Sequence, residues 1–238
     1  MRAVILAGGK GTRLLPYTTV LPKPLLPIGE MPILEIVLRQ LKRAGVENAI
    51  LTVGYLGSLL QAYFQDGAGI GLQLDYSFED HPLGTAGPLA LVRDRLTETF
   101  LITNGDILTT LDLRAMIRSH RLSGAAATVA MHARQVKIDL GVLEFDGSFI
   151  LKGYKEKPTY DFHVSMGINV LEPRVLDYLD GDAYCDLPDL ILRLIEAGEK
   201  VVGFPHDGYW QDLGRPDDYQ QAVQDFEAMR AELLPEDE

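Results

Sequence analysis

The chain of 238 residues has little cysteine, an excess of negative charge and no long apolar run. Its one cysteine, Cys185, excludes a disulfide within the chain and a zinc site made of cysteines, which fits a reducing compartment. Lysine and arginine number 22 against 34 aspartates and glutamates, so the formal net charge is −12. That balance argues against nucleic acid as a partner, because nucleic-acid binding needs a basic face.

No apolar run approaches the ~18 residues that cross a membrane, so we expect no membrane partner. Because Met1 is followed directly by an apolar strand, we also expect no signal peptide and a cytoplasmic location.

Hydrophobic periodicity predicts an α/β fold. Up to about residue 110, apolar strands alternate with amphipathic helices, which is typical of a doubly wound, mostly parallel sheet with helices on both faces. The predicted strands of this half are 2–7, 49–53, 72–76 and 100–103, and the predicted helices are 33–44, 56–64 and 86–96.

From about residue 111 the pattern changes to strands joined by short turns, which predicts an antiparallel C-terminal extension. Asp146-Gly147 is a hairpin signal inside it. We expect one domain over residues 1–238. The predicted strands of this half are 126–131, 141–145, 149–154, 164–170 and 201–204, and the predicted helices are 113–122, 188–197 and 215–230.

A glycine-rich segment follows the first strand and predicts a phosphate site. Three glycines within residues 8–11 let the backbone turn sharply and present bare N–H groups to an anion, and Arg13 and Lys23 add positive charge. The spacing fits neither the dinucleotide-binding fingerprint nor the Walker P-loop. The alternative is an ordinary strand-to-helix turn with two surface cations.

Two aspartates follow apolar stretches. Asp106 comes after the run 100–102, at the expected ligand-binding edge of the sheet, and Asp212 ends a short apolar stretch just before a helix started by Pro216. Two carboxylates, with phosphate oxygens and waters, suit Mg²⁺, which takes few protein ligands. Either aspartate alone would more often be a turn or N-cap residue.

Two further segments carry weaker signals. Glu156-Lys157-Pro158 places an acid and a cation after an apolar stretch, although a lone pair of this kind is usually a solvated edge. The small-residue turn 83–88 would let a flat ring approach the backbone, or would simply cap a helix.

Five motifs in order together resemble the sugar-1-phosphate nucleotidylyltransferase family, and most closely its short branch similar to mannose-1-phosphate guanylyltransferases. The motifs are GGKGTRL with PKPLLP, then PLGTAGPL, NGD, EKP and WQDLGRPDDY. The resemblance covers essentially the whole chain. It implies a Rossmann-like fold and a Mg²⁺-dependent enzyme of nucleotide-sugar biosynthesis, which joins a nucleoside triphosphate to a sugar 1-phosphate and releases pyrophosphate.

The resemblance also implies roles for individual residues, with nucleotide binding in residues 1–110 and sugar-phosphate binding in residues 111–238. Arg13 would draw charge from the leaving pyrophosphate, Lys23 would neutralise the α-phosphate, and Asp106 would complete the catalytic set. The implied nucleotide-binding residues are Leu6, Ala7, Gly8, Gly9, Gly11, Thr12, Arg13, Glu79, Gly84, Thr85 and Asp106. The implied sugar-phosphate residues are Gly141, Glu156, Lys157, Gly167 and Asp212, and Asp106 and Asp212 would hold Mg²⁺.

Glu79 favours GTP as the nucleotide. It stands where relatives that use thymidine or uridine triphosphates often have glutamine, and a carboxylate can accept two hydrogens from guanine. A solvent-facing Glu79, and thymidylyl, uridylyl or cytidylyl transfer, are the alternatives.

The sugar remains open, because Ser165-Met-Gly-Ile168 departs from the Asn-Ala-Gly-Ile of many relatives. A transferase acting on an alcohol phosphate and an inactive nucleotide-sensing regulatory paralogue are the rival functions, and a homo-oligomer is left open.

Overall fold

The computed structural model describes residues 1–234. Its strands are β1 Arg2–Ala7, β2 Pro27–Ile28, β3 Met31–Pro32, β4 Asn48–Val53, β5 Gln73–Phe78, β6 Phe100–Asn104, β7 Ile107–Thr109, β8 Ala127–Lys137, β9 Val142–Phe145, β10 Leu151–Lys155, β11 Thr159–Leu171, β12 Val201–His206 and β13 Trp210–Asp212. Its α-helices are α1 Ile33–Arg43, α2 Gly57–Phe64, α3 Pro88–Leu91, α4 Leu113–Ser123, α5 Leu187–Glu196 and α6 Pro216–Leu233.

A seven-stranded sheet in the order β12-β8-β11-β6-β1-β4-β5 forms the centre of the fold. β1 pairs in parallel with β4 and β6, β4 with β5, and β12 with β8. β11 runs antiparallel to both its neighbours, β6 and β8. The predicted α/β class and mostly parallel sheet are therefore confirmed.

Both faces of β1 are buried, which explains its unbroken apolar sequence. Ala3 and Ile5 face a core shared with α1, α2 and α4, and Val4 faces a second core shared with α5. The helices thus cover both faces of the sheet, as predicted. Among residues 1–234 we find no helix that is both long enough and apolar enough to cross a membrane.

The predicted helix 86–96 is wrong. Only Pro88–Leu91 is α-helical, Val92 leaves helical geometry (φ −120°, ψ 13°), and Arg93–Arg95 is a separate 3-10 turn. Leu89, Val92 and Leu96 are nevertheless buried in the second core. Apolar residues spaced by three and four satisfy the core in either conformation, so their periodicity could not distinguish the two.

The antiparallel extension is an arm that leaves the main sheet. β11 contacts β6 only through Ile168–Leu171, and its first residues pair with β8 alone, starting at Thr159 opposite Lys137. Both strands are longer than the predicted 164–170 and 126–131, because they continue into the arm. The predicted hairpin at Asp146-Gly147 is confirmed as β9–β10.

Candidate active site

A cavity of about 800 Å³ lies at the carboxyl ends of β1, β4, β5 and β6. Open α/β sheets bind ligands at this edge, where loops follow the carboxyl ends of the strands. All the residues that the sequence assigned to nucleotide binding line this cavity, and so does Lys23: Leu6, Ala7, Gly8, Gly9, Gly11, Thr12, Arg13, Glu79, Gly84, Thr85 and Asp106.

Gly8, at the start of the loop after β1, lies close to Glu79 and to Gly54. A Cβ on Gly8 would lie 2.8 Å from Glu79 Oε1 and 3.4 Å from the backbone nitrogen of Gly54. The loops after β1, β4 and β5 therefore meet at Gly8, and Glu79 lies directly against the glycine loop.

Glu79 is partly buried at the end of β5 and holds the next turn in place. The backbone N–H of Leu83 donates to Glu79 Oε2 at 3.2 Å. Burial raises the pKa of the Glu79 carboxyl, although this hydrogen bond and the charge of His81 oppose the shift. The carboxylate still has lone pairs that can accept hydrogen bonds from a ligand. Because the carboxylate is partly desolvated, each such hydrogen bond is stronger than it would be in water.

A short antiparallel ladder brings the two predicted metal ligands together. β13 pairs with β7 so that Asp212 lies opposite Ile107, and the backbone N–H of Leu213 donates to the Asp106 carbonyl at 3.2 Å. The two aspartates are 106 positions apart in sequence, and this ladder of three residues on each strand brings them side by side.

Lys23 lies between these two carboxylates. Its ammonium forms an ion pair with Asp106 and lies 3.8 Å from Asp212 Oδ1. Burial and the charge of Asp106 raise the pKa of Asp212, while Lys23 and Arg13 oppose the rise. The site is thus a compact cluster of two anions and two cations, of which Arg13, Lys23 and Asp106 line the cavity.

Arg13 reaches the same cluster from the loop after β1. Its guanidinium packs over Gly214, where an added Cβ would lie 3.3 Å from both terminal nitrogens. The loop and the segment after β13 therefore place Arg13 beside Asp212.

The two carboxylates suit a Mg²⁺ ion that keeps most of its ligands as waters and phosphate oxygens. Within residues 1–234 no group of three or more His, Cys, Asp or Glu side chains forms a closed metal site. The convergence of two carboxylates on one ammonium shows that this place already stabilises a cation.

A second cavity of about 550 Å³ adjoins the first, and Thr85 and Asn104 line both. Two of the predicted sugar-phosphate residues, Gly167 and Asp212, line it. Trp210 also lines it, and its indole Nε1–H donates to the Met166 carbonyl at 3.2 Å. An apolar wall from the start of α5 faces these polar groups, so the cavity suits a ring with both apolar and hydroxyl surfaces.

The other three predicted sugar-phosphate residues lie on the arm and line neither cavity. Glu156 and Lys157 form the exposed turn between β10 and β11, and Gly141 packs against the Tyr154 phenol just before β9. Thr159, two residues after Lys157, lies roughly 30 Å along β11 from Ile168 at ~3.3 Å per residue. Their predicted role stays a prediction.

Among the residues outside the predicted site that line the first cavity are Asn104, Tyr184 and Asp186. Asn104 belongs to the NGD motif, and its place at the end of a buried strand could have revealed it. Tyr184 and Asp186 come from the segment before α5, and Asp186 accepts a hydrogen bond from Thr85, about 100 positions earlier in the chain. No local pattern marks them.

The sequence and the fold of this chain are similar to those of known proteins. The profile of the nucleotidyl transferase family matches residues 2–229. A UTP–glucose-1-phosphate uridylyltransferase of Synechocystis is 33% identical over 94% of the chain, and a mannose-1-phosphate guanylyltransferase of Mycobacterium tuberculosis is 34% identical over 91%. The chain spans 62% of the length of each of these two relatives.

A solved structure has the same fold. The crystal structure of HddC from Yersinia pseudotuberculosis complexed with GMP-PN superposes with a TM-score of 0.72 at 25% identity, covering 94% of this chain and 99% of that one.

Proposed function

The chain belongs to the nucleotidyl transferase family, and from this premise we propose that it transfers a nucleotidyl group from a nucleoside triphosphate to a sugar 1-phosphate and releases pyrophosphate. The observation that carries the proposal is the pair of adjoining cavities, which meet at Thr85 and Asn104 beside the charged cluster of Lys23, Asp106 and Asp212. One cavity takes the triphosphate and the other takes the acceptor.

The reaction needs charge stabilisation more than proton transfer. The phosphate oxygen of a sugar 1-phosphate is already anionic, so its attack on the α-phosphorus requires no general base. The pyrophosphate that leaves carries the developing negative charge, and preorganised cations lower the barrier by stabilising it. In this proposal Arg13 stabilises the leaving pyrophosphate, and Lys23 stabilises the α-phosphate.

Asp106 and Asp212 would hold Mg²⁺, which supplies positive charge to the phosphate oxygens when bound. Both carboxylates also contact Lys23, so they fix the ammonium next to the reacting phosphate. Because Lys23 is held from two sides, it loses little freedom when substrate binds, which favours a preorganised site.

We propose GTP as the nucleotide, on the strength of Glu79. Its carboxylate lies against the glycine loop and can accept the N1 and exocyclic amine hydrogens of guanine, whereas a pyrimidine would satisfy one acceptor and repel the other. The Mycobacterium relative is named as a guanylyltransferase, and the HddC structure contains a guanine nucleotide analogue. The Synechocystis relative is named as a uridylyltransferase, so uridylyl transfer is the second candidate.

We place the acceptor in the second cavity and leave Glu156, Lys157 and Gly141 as its predicted phosphate and hydroxyl contacts. In this structure they lie on the arm, so the proposal requires the arm to contact the acceptor when it binds.

The proposal is tested by measuring pyrophosphate release with Mg²⁺ over a grid of five nucleoside triphosphates and a panel of sugar 1-phosphates. We expect release only when both substrates are present, and the highest rate with GTP. Arg13→Ala should lower the rate about 100-fold, as expected for one lost preorganised donor.

The matched control is Arg118→Ala, whose side chain is 65% exposed on α4. It should keep the parent rate. Equal rates in Arg13→Ala and Arg118→Ala would contradict the role of Arg13, and a clear preference for another base would contradict the role of Glu79.

A further inference from the structure

The turn that borders the first cavity is held by a segment from the other half of the chain. The N–H groups of Ala86 and Gly87 both donate to the Cys185 carbonyl, at 2.9 and 3.0 Å, and the Cys185 N–H donates to the Leu83 carbonyl at 2.9 Å. Gly84 has φ +81°, and a Cβ there would lie 2.5 Å from the Cys185 carbonyl oxygen. The turn 83–87 and the segment 184–187 therefore form one unit.

Asp186 fastens this unit with both of its carboxylate oxygens. The backbone N–H and the hydroxyl of Thr85 donate to Oδ1 at 3.0 and 3.1 Å, and the Tyr184 hydroxyl donates to Oδ2 at 2.8 Å. The Thr85 hydroxyl in turn accepts the Leu187 N–H at 2.7 Å. The position of the Tyr184 ring is thus fixed relative to the turn.

Tyr184 has no structural reason to be aromatic. The residue is 61% exposed, and it belongs to none of the three buried cores, yet it lines the first cavity together with Gly84 and Thr85. The hydrogen bond and the charge of Asp186 raise the pKa of its hydroxyl, which keeps the phenol protonated and able to donate. An anchored, exposed ring beside a turn of small residues is the arrangement that a planar ligand needs.

We propose that the Tyr184 ring packs against the base of the bound nucleotide, and that Asp186 is the positioning residue that holds this ring to the turn 83–87. The inference rests on the proposed function, because it needs a nucleotide in the first cavity. The Tyr184 ring would contact the base and not the phosphates. It would stack equally on any base, and discrimination between bases by hydrogen bonding would come from Glu79.

The test compares binding of GTP, UTP and inorganic tripolyphosphate to the full chain by calorimetry, without acceptor. Tyr184→Ala should weaken GTP and UTP binding about 10- to 100-fold, the range seen when a base-stacking aromatic is removed, and leave tripolyphosphate binding unchanged. Tyr184→Phe keeps the ring but loses the hydrogen bond to Asp186, so it should bind GTP and UTP more weakly than the parent and more tightly than Tyr184→Ala. The control is Tyr63→Ala, which removes a tyrosine that is 53% exposed on α2 and lines neither cavity.

Asp186 is tested through its coupling to Tyr184. Asp186→Ala should weaken nucleotide binding in the parent, and should weaken it less in a Tyr184→Ala background, because the ring it holds is then absent. Asp186→Asn keeps an acceptor for the Thr85 N–H and should restore most of the affinity.

Each outcome decides the proposal. Parent-like GTP binding by Tyr184→Ala, or an equal loss of tripolyphosphate binding, would overturn the stacking role while leaving the proposed function intact. Strictly additive effects would overturn the positioning role of Asp186. If the parent chain binds neither GTP nor UTP, the proposed function itself fails, and this inference fails with it.

Discussion

Replacing Lys23 by methionine tests the charged cluster without asking about catalysis. The change keeps an unbranched side chain as far as Cε and removes the ammonium that Asp106 and Asp212 share. Arg13 is then the one cation left in the cluster, so the folded state loses stability and the site gains affinity for a divalent ion.

The size of the loss follows from burial. At an effective dielectric of ~20, two opposite unit charges at the distance between Lys23 Nζ and Asp212 Oδ1 attract each other by roughly 4 kcal/mol, before the cost of desolvation is subtracted. Removing one partner of a fully buried pair costs about 3–5 kcal/mol. Here the side chains of Lys23 and Asp106 are 10% and 18% exposed but that of Asp212 is 46% exposed. We therefore expect a loss of about 2 kcal/mol, which lowers Tm by ~4–8 °C in a domain of this size.

The assay is thermal unfolding with a chelator and with Mg²⁺. With chelator, Lys23→Met should melt below the parent; with Mg²⁺, it should recover more than the parent gains, because the ion replaces the lost ammonium. Lys152→Met is the control, since its ion pair with Asp146 is exposed and worth less than about 1 kcal/mol. An unchanged Tm for Lys23→Met, or an equal Mg²⁺ effect on variant and parent, would refute the reasoning.

Three further predictions concern Glu79, Gly84 and His120. Because burial raises the pKa of Glu79, its charged form is disfavoured in the folded chain, and Glu79→Gln should have a Tm at pH 7 no lower than that of the parent. The ratio of kcat/KM for GTP to that for UTP should fall in this variant. An unchanged ratio would contradict the role of Glu79 in binding guanine. Gly84→Ala should lower the free energy of unfolding by at least about 1–2 kcal/mol, because φ is +81° at this position and the new Cβ would meet a carbonyl oxygen. The control is Gly69→Ala, whose new Cβ meets nothing within 4 Å and which should leave the urea unfolding midpoint unchanged. Equal midpoints for the two variants would refute this prediction. His120 is buried between Thr128 and Glu172, and burial lowers its pKa, so its imidazole is protonated in the unfolded chain before it is protonated in the folded chain. The free energy of unfolding should therefore fall as the pH drops from about 6.5 towards the lowered pKa. His120→Gln should flatten this fall in urea unfolding measured against pH, and the same pH dependence in variant and parent would show that His120 is not its source.

Much of the lining of the first cavity could be predicted from the sequence, because those parts are local. The glycine loop, the turn 83–88 and Asp106 each follow a strand whose apolar run is visible, and parallel strands bring their ends to one edge. Once the order of strands is fixed, those residues have to meet.

Contacts between distant segments could not be predicted in this way. The ladder of β7 and β13, which brings Asp212 to Asp106, has three residues on each strand, too few to show a period. The hydrogen bonds of Asp186 with Thr85 join residues about 100 positions apart. The failure of the helix predicted over 86–96 has a different cause: its apolar residues are buried equally well by a broken helix, so their spacing does not reveal the break.

Following the α-phosphorus tests the central claim most directly. The chain is incubated with Mg²⁺, a sugar 1-phosphate and GTP labelled with ³²P at either the α or the γ position. The account predicts that the α label appears in a nucleotide-sugar and the γ label in pyrophosphate, and that neither product forms without the sugar 1-phosphate. Transfer of the γ label to the sugar, or release of labelled nucleotide in the absence of any acceptor, would contradict it.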